Sequence, residues 1–276
     1  MRRAPLRTGD RTMSTRSRSR ARSAPPAVPW AGAGPYALAL RTGRGPLFLR
    51  RTDGWLLPLE VERWCARADP VDRAVLDRCE GAVLDVGCGP GRLVAELAAR
   101  GRTVLGIDVS EAAVDHTVRL GGQALRRSVF EPLPGEGRWG TVLLMDGNVG
   151  IGGDPRALLD RVARLLRPGG LLIAETAVVD VDERSEVQVV DGTDVDTGGH
   201  GAFPWARLGT PALLRYAGRP GWRTAGQWTT GRRRFVALRS RSPRSASSSA
   251  EPANSTALIS SQRARKPSAD RPVADR

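Results

Sequence analysis

The sequence feature that most constrains the fold is an apolar run that ends in an acid and is followed at once by three glycines. Residues 82–86 have the length and composition of a buried β-strand, and a helical stretch follows over 92–100. The spacing of Gly87, Gly89 and Gly91 allows a sharp turn and lets a ligand approach the backbone closely. A strand, a glycine turn and a helix start in this order predict a ligand site at the edge of a parallel sheet.

The alternation of short apolar runs with helical stretches continues to residue 176. Further strands are predicted at 103–108, 124–129, 141–145 and 171–176. Ser110 and Asp154 are the predicted caps of two intervening helices, which run to about Arg119 and Leu166. Strands that alternate with helices indicate an α/β fold, with a doubly wound parallel sheet covered on both faces.

The region before this alternation has a different pattern. Apolar residues at 47–51 and 55–59 flank Asp53-Gly54, which predicts a hairpin. Asp69 followed by Pro70 is typical of a helix start, and this helix is predicted to reach about Cys79. We therefore expect a small cover, made of a hairpin and a helix, ahead of the sheet.

The region after the alternation changes again. Residues 177–208 are acidic and are predicted to be irregular, with one strand at 187–190. A helix is predicted at 211–217, followed by two strands at 222–229 and 233–238 joined by a tight turn. An antiparallel hairpin would then close the sheet.

The net charge of +14 lies mainly at the two ends of the chain. Residues 1–34 carry +7 and residues 240–276 carry +4, which leaves +3 for the body. Both ends are rich in Arg, Ser and Pro and poor in apolar residues, so they cannot bury enough surface to order themselves. We therefore expect disordered tails at 1–34 and 240–276, the cover at 35–80 and one domain at 81–239.

The cysteines and apolar runs indicate the compartment. Cys65, Cys79 and Cys88 have no CxxC spacing, which argues against a disulfide scaffold and a metal site. No apolar run approaches the roughly 20 residues that a membrane-spanning helix needs. The sequence predicts a cytoplasmic protein, monomeric or homodimeric, with neither a metal nor a membrane contact.

The spacing of the glycines separates two kinds of nucleotide site. A dinucleotide turn has the pattern GxGxxG, whereas the third glycine here is Gly91 and the next residue is Arg92. Asp108 ends the following strand, where a carboxylate can accept hydrogen bonds from ribose hydroxyls. Dinucleotide enzymes share that acid, so the glycine spacing and Arg92 carry the distinction.

Three segments resemble the class I S-adenosylmethionine-dependent methyltransferases. They are VLDVGCGPGRL at 83–93, GIDVS at 106–110 and LLRPGGLL at 165–172. The similarity extends over roughly residues 80–240. It implies a Rossmann-like sheet of seven strands in the order 3-2-1-4-5-7-6, with the last strand of the chain antiparallel, and S-adenosylmethionine as cofactor.

The resemblance also assigns roles to individual residues. Asp85 and the backbone of the turn would hold the methionine end of the cofactor, and Asp146 would lie near the transferring methyl group. Asp108 would bind the ribose, and Val109 would pack against the adenine. The cofactor site that the resemblance implies comprises Asp85, Gly87, Cys88, Gly89, Gly91, Asp108, Val109, Ser128, Val129 and Asp146.

Ser128 is a departure from the family pattern. Many members have an aspartate after the third strand that accepts a hydrogen bond from the adenine amine. A serine hydroxyl can accept the same bond without a charge, and Val129 can offer its backbone N–H. The substitution therefore bears on cofactor affinity more than on the fold.

A glycine-rich loop, DGNVGIGGDP at 146–155, follows the fourth strand, where methyl acceptors bind in this family. It resembles the corresponding loop of an uncharacterised bacterial subgroup. It lacks the Asn/Asp-Pro-Pro-Tyr/Phe signature of amino-directed methyltransferases and the Pro-Cys nucleophile of pyrimidine-directed ones. The loop therefore predicts a small-molecule acceptor.

Candidates for contact with the acceptor lie mainly in 177–208. His200, in a glycine-rich stretch, is the leading candidate for a general base, and Asp146 is the second catalytic candidate. Phe203 and Trp205 are predicted to wall the acceptor site, with Trp55 and Trp64 as further aromatic candidates. His116 is expected to be structural or solvated.

The favoured function is methyl transfer to an oxygen or nitrogen atom of a small molecule, in which alignment and water exclusion dominate. One alternative is a protein of this fold that binds the cofactor without transferring the methyl group. A second is an RNA methyltransferase that uses its basic tails, although nucleic-acid contacts are otherwise expected to be weak and confined to those tails. An NAD(P)-dependent oxidoreductase is disfavoured by Arg92 and the glycine spacing.

Overall fold

The computed structural model describes residues 34–192, 201–218 and 221–241. The tails predicted at 1–34 and 240–276 fall outside these residues, apart from positions 34, 240 and 241. The strands are β1 (Leu47–Arg51), β2 (Leu56–Pro58), β3 (Val83–Val86), β4 (Val104–Asp108), β5 (Ala124–Arg126), β6 (Trp139–Leu144), β7 (Leu166–Thr176), β8 (Asp182–Asp191), β9 (Phe203–Leu208), β10 (Trp222–Thr230) and β11 (Arg233–Ser240). The α-helices are α1 (Pro35–Thr42), α2 (Val61–Cys65), α3 (Pro70–Leu76), α4 (Arg92–Ala99), α5 (Glu111–Arg119), α6 (Pro155–Leu165) and α7 (Thr210–Ala217).

A seven-stranded sheet has the order β5-β4-β3-β6-β7-β11-β10. The strands β3 to β7 that belong to it pair in parallel, whereas β11 is antiparallel to both β7 and β10. This arrangement confirms the predicted sheet order and the antiparallel last strand. It also confirms the closing hairpin of β10 and β11.

The central strands of this sheet are buried on both faces, as a parallel sheet between helices requires. All six residues of β6 are buried. Val142 and Leu144 belong to the core cluster that includes residues of α6 and α7, whereas Leu143 belongs to the cluster with residues of α3 and α4. The two cores fix the sheet rigidly between its helices, so the carboxyl ends of the strands form a firm edge.

A second, antiparallel sheet has the order β2-β1-β8-β9. The predicted hairpin is confirmed as β1 and β2, and the strand predicted at 187–190 lies within β8. The expectation that the rest of 177–208 is irregular is wrong, because β8 begins at Asp182 and β9 follows it. The prediction was wrong because the acidic residues of β8 are typical of a solvated loop. Asp182, Arg184 and Glu186 alternate on the exposed face, while Val187 and Val189 are buried.

Several helix boundaries differ from the predictions. The cap of α3 is confirmed, because the Asp69 carboxylate accepts the Asp72 N–H at 2.7 Å, but the helix ends at Leu76 rather than near Cys79. Ser110 precedes α5 as predicted, yet its hydroxyl makes no capping hydrogen bond. The short helices α1 and α2 were not predicted, since eight and five residues give too little periodicity.

Among the described residues, no helix is long and apolar enough to cross a membrane. The same part of the chain contains no cluster of three or more His, Cys, Asp or Glu side chains that could hold a metal ion.

Candidate functional site

A cavity of about 540 Å³ lies between the edge of the large sheet and the second sheet. One wall comes from the carboxyl ends of β3, β4, β6 and β7 and the turns that follow them, and the opposite wall comes from β1, β2, β8 and β9. The volume falls within the range of about 300–1,000 Å³ that is typical of small-molecule sites. The cavity therefore lies where the sequence predicted a ligand.

Glycine is required at the three positions of the turn for different structural reasons. All have positive φ, at +70°, +54° and +89° for Gly87, Gly89 and Gly91. A Cβ atom on Gly87 would lie 2.6 Å from the Asn148 side chain, and one on Gly91 would lie 2.3 Å from Thr117. A Cβ on Gly89 would meet Tyr36 Oη at 3.7 Å and nothing nearer, so Gly89 presents open backbone to the cavity.

Asp108 lies in the cavity wall at the end of β4. Its two carboxylate oxygens accept the backbone N–H groups of Ser110 at 2.8 Å and Gly89 at 3.0 Å. Burial raises the pKa of Asp108 to about 6, although these hydrogen bonds act in the opposite direction. The acid is thus tied to the glycine turn that it was predicted to assist.

Asp85 lies behind the turn rather than in the cavity wall. It is 1% exposed, and its Oδ2 atom has no hydrogen-bond partner. Burial raises its pKa to about 7, against the opposing effect of Arg92. An unsatisfied buried carboxylate oxygen is costly, so Asp85 is a group whose hydrogen bonding is incomplete in the protein alone.

Asp146 is the residue of the site with the least usual backbone. It has φ +56°, a region in which non-glycine residues are uncommon. Its carboxylate accepts Arg63 Nη2 at 2.8 Å and Arg92 Nη1 at 2.7 Å, and its N–H donates to Glu175 Oε2 at 2.9 Å. Burial favours a raised pKa for Asp146, but Arg92 and Arg63 outweigh it, so its pKa is lowered.

The ion pairs at Asp146 belong to a larger network beneath the cavity. Arg92 also binds Asp72, with Nε and Oδ2 2.8 Å apart. Arg233 bonds to Asp72 at 2.7 Å and to both Glu175 oxygens at 2.8 and 2.7 Å. Burial acts to raise the pKa of Asp72, yet the two arginines lower it to about 2. Arginines therefore hold Asp72 and Asp146 ionised, and Glu175 pairs with Arg233.

Ser128 and Val129 line the cavity after β5. The Ser128 N–H donates to Glu131 Oε2 at 2.7 Å, and its hydroxyl accepts the Phe130 N–H at 3.3 Å. The Val129 carbonyl accepts Arg161 Nε at 2.7 Å. The hydroxyl of Ser128 keeps its own proton and a second lone pair for a ligand.

The glycine-rich loop serves packing as well as the cavity. A Cβ on Gly150 would lie 1.9 Å from the Ala206 carbonyl oxygen, and one on Gly153 would lie 2.7 Å from Pro204. Asn148 Nδ2 donates to the carbonyls of Val86 and Gly87, both at 2.9 Å. The loop therefore joins the turn at Gly87 to strand β9 of the second sheet.

The structure brings most of the predicted site residues into one place. Of the ten predicted cofactor residues, all except Asp85 and Gly91 line the cavity. The predicted acceptor residues Phe203, Trp205 and Trp64 also line it, whereas Trp55 does not. The roles of these residues stay predictions.

The two histidines differ in what can be said of them. His200 lies outside the described residues. His116 Nδ1 lies 2.8 Å from the Pro90 carbonyl oxygen, so this side chain helps to hold the glycine turn from behind, in agreement with the structural role expected of it.

Sequence reasoning missed the residues of the ion network and Asn148. The network residues lie in four elements from three distant parts of the chain, so no local spacing indicates that they meet: Arg63, Asp72, Glu175 and Arg233. The position of Asn148 in a glycine-rich loop could have indicated its role, because a side-chain amide can donate to backbone carbonyls that a glycine turn leaves without partners.

Comparison with known proteins gives three results. Residues 60–207 match the family model described as a methyltransferase domain. The ubiquinone biosynthesis O-methyltransferase of Psychrobacter cryohalolentis is 30% identical over 56% of this chain and 63% of its own length. The ubiquinone biosynthesis O-methyltransferase of Dechloromonas aromatica is 34% identical over 40% of this chain and 50% of its own length. The chain spans about half the length of the first curated relatives that it matches.

A solved structure also has this fold. It is a methyltransferase from Bacteroides fragilis in complex with S-adenosyl-L-homocysteine, with a TM-score of 0.61 and 19% identity over 75% of this chain and 92% of the other. This likeness concerns the fold. Because the family model matches more than half of the 276 residues, the chain belongs to the methyltransferase-domain family.

Proposed function

We propose that the protein transfers a methyl group from S-adenosylmethionine to an oxygen or nitrogen atom of a small molecule. The observation that carries the proposal is the open backbone of Gly89 beside the Asp108 carboxylate, both in the wall of one cavity at the edge of a parallel sheet. This is where nucleotides bind in folds of this kind. The names of the curated relatives and of the bound structure support the same cofactor and reaction.

The described residues fit this cofactor. Asp108 has the chemistry to accept the ribose hydroxyls, and Val109 and Val129 supply apolar surface for the adenine. Ser128 offers a hydroxyl toward the adenine amine. The orphaned Oδ2 of Asp85 lies behind the turn that would hold the amino-acid end, where an ammonium group, directly or through water, would satisfy it.

The cofactor, when bound, supplies a methyl group that is electrophilic because it is carried by a positively charged sulfur. The residues of the chain then have to align the acceptor and exclude water. The apolar side chains of the second sheet exclude water from the opposite wall. Asp146 acts through its position, because Arg63 and Arg92 hold its carboxylate ionised and occupied.

The remaining sequence-based expectations are part of the proposal. A cytoplasmic location, a monomeric or homodimeric state and a basic role for His200 stay predictions. The alternative of an RNA methyltransferase depends on tails that lie outside the described residues. Salt-dependent RNA binding by the full chain and by a form without both tails measures that contribution directly.

Calorimetric titration of the full chain with S-adenosylmethionine and, separately, with NADH tests the proposed function. We expect saturable binding of S-adenosylmethionine and none of NADH at the same concentrations. Binding of NADH alone would contradict the proposal. Binding of S-adenosylmethionine without methyl transfer to any compound of a broad acceptor panel would favour the non-catalytic alternative.

A further inference from the structure

The wall that faces the cofactor edge is apolar and aromatic. The side chains of Leu49, Leu57, Val189, Phe203 and Trp205 line it. Leu49 and Val189 are cross-strand partners on β1 and β8. The rings of Phe203 and Trp205 pack edge to face, with their centroids 6.2 Å apart. Surface of this kind favours the burial of apolar ligand atoms against it.

The charge of Arg207 is satisfied away from a ligand. Arg207 is the one charged residue that the described strands β1, β2, β8 and β9 contribute to the cavity. Its Nη1 lies 3.4 Å from Glu183, and its guanidinium group stands over the Trp55 ring at 5.4 Å. These strands therefore offer a ligand stacking and apolar contact, and an atom beside them without a hydrogen-bond partner in the described part of the chain is Nη1 of Arg63, which lines the cavity from α2.

The mouth of the cavity combines exposed apolar side chains with two charged ones, Glu60 and Arg127. Phe130 and Val178 line the cavity and are also 45% and 50% exposed, which places them at its opening. Pro58 and Pro204 are exposed lining residues as well. Large apolar side chains left in water around an opening mark a route for an apolar molecule.

The acids that line the cavity are all engaged. Asp108 accepts two backbone N–H groups, Asp146 is held by Arg63 and Arg92, and Glu175 is held by Arg233. Glu60, at the mouth, accepts Arg63 Nε at 2.7 Å. Burial, with the nearby charge of Asp108, raises the pKa of Tyr36 well above its usual range. Within the described ranges, each Asp or Glu that lines the cavity already accepts a hydrogen bond from a backbone N–H group or an arginine.

From these observations we infer that the acceptor is an apolar aromatic compound whose attacking atom already carries a free lone pair in solution, such as an ionised phenol oxygen. The inference rests on the proposed function. The lone pair of that oxygen forms the new C–O bond as the bond between the methyl carbon and sulfur breaks, and the electron pair of the broken bond stays on sulfur. No proton has to move to the protein in this step, so an acceptor of this kind does not need the general base that was predicted at His200.

The binding part is tested with 2-naphthol, titrated calorimetrically into the full chain saturated with S-adenosylhomocysteine. Val189→Asp places a charge in the apolar wall, and Gln188→Asp places the same charge on the opposite face of β8. We expect Val189→Asp to weaken 2-naphthol binding at least tenfold and Gln188→Asp to leave it unchanged. Val189→Phe, which fills the space without a charge, should also weaken it, so a folding defect of Val189→Asp does not decide the result.

The outcomes separate this inference from the proposed function. Failure of S-adenosylhomocysteine to bind contradicts the proposed function itself. Binding of S-adenosylhomocysteine without binding of 2-naphthol, or equal 2-naphthol affinity in the wild type and both Val189 variants, overturns the apolar acceptor site alone.

The free-lone-pair part is tested by the pH dependence of kcat/KM for methyl transfer to 2-naphthol and to 4-nitrophenol, which is the stronger acid. If the acceptor supplies its own ionised oxygen, the inflection lies at lower pH for 4-nitrophenol. The same inflection for both phenols would reveal a base on the protein and overturn this part. Binding of 2-naphthol without transfer to either phenol would also count against it.

Discussion

At the scale of single residues, the site is defined by three acids with opposite environments. Asp108 is buried and accepts hydrogen bonds from neutral backbone groups, whereas Asp85 is buried and its Oδ2 has no hydrogen-bond partner among the described residues. Burial raises the pKa of Asp85 to about 7 and that of Asp108 to about 6. Asp72 is as deeply buried, but Arg92 and Arg233 outweigh burial and lower its pKa to about 2. Charge pairing, rather than depth, decides which acid remains ionised.

These differences predict how stability depends on pH. Since folding raises the pKa of Asp85 from 3.8 to about 7, its contribution to stability is present below pH 4 and is lost as the pH rises to about 7. Asp85→Asn should therefore gain stability relative to the wild type across pH 4–7, by about 1.4 kcal/mol for each pH unit at most, and level off above pH 7. Urea unfolding without ligand measures this difference.

Asp72 gives the matched comparison because its shift has the opposite sign. A lowered pKa contributes stability above pH 3.8 that is lost as the pH falls toward 2. The Asp72→Asn variant should therefore differ from the wild type most at neutral pH. A difference between Asp85→Asn and the wild type that does not vary from pH 4 to pH 7 would show that Asp85 is not the buried, unpaired acid described here.

At the scale of elements, the glycine-rich loop shows what a local pattern can predict. The run of glycines indicated close contact, and the structure confirms that the backbone is approached closely. The partner at Gly150 and Gly153 is strand β9, whereas the sequence indicated a ligand. The partner could not be predicted, because β9 lies in the segment that was expected to be irregular.

Gly150→Ala tests this packing. Gly150 does not have positive φ, so the cost of the substitution comes from the Ala206 carbonyl, 1.9 Å from the new Cβ. We expect a loss of about 1–3 kcal/mol in the free energy of unfolding, as for other overpacked sites. Gly226→Ala, where a Cβ has nothing within 4 Å, is the control and should change stability by less than about 0.5 kcal/mol. Equal melting temperatures of the two variants would contradict the contact.

Some strands could be predicted from local sequence, whereas the pairing of others could not. Strands β3, β4, β6 and β7 were predicted because each is a compact apolar run followed by a turn or helix signal. The β1–β2 hairpin of the second sheet was predicted, but its pairing with β8 was missed, because these strands lie about 140 residues apart in the chain, as Arg50 and Gln188 do. The outer face of this sheet carries charges that hide the alternation of β8. Pairing over such separations leaves no local signal.

At the scale of the whole molecule, the ion network ties distant elements to the cavity. Arg233 opens β11, yet it holds Glu175 at the end of β7 and Asp72 in α3. Through these acids it reaches Arg92 and the backbone N–H of Asp146. The glycine turn could be predicted because its residues are contiguous, and this network could not, because its members span residues 63–233.

Arg233→Met tests the importance of the network. Removing one partner of a buried ion pair leaves uncompensated charge, so we expect a loss of about 3–5 kcal/mol in unfolding free energy. Arg234→Met changes the exposed neighbour on the same strand and should cost less than about 0.5 kcal/mol. Urea unfolding at neutral pH compares the two variants. Similar midpoints would mean that the network contributes nothing to stability.

The proposed role of Gly89 is to hold the methyl donor against its open backbone, and calorimetric titration with S-adenosylhomocysteine tests this role directly. Gly89→Val fills the open face, while Gly101→Val imposes the same strain of positive φ at a glycine whose Cβ would have nothing within 4 Å. We expect Gly89→Val to abolish binding and Gly101→Val to bind as the wild type does. Wild-type affinity in a folded Gly89→Val variant would contradict this role.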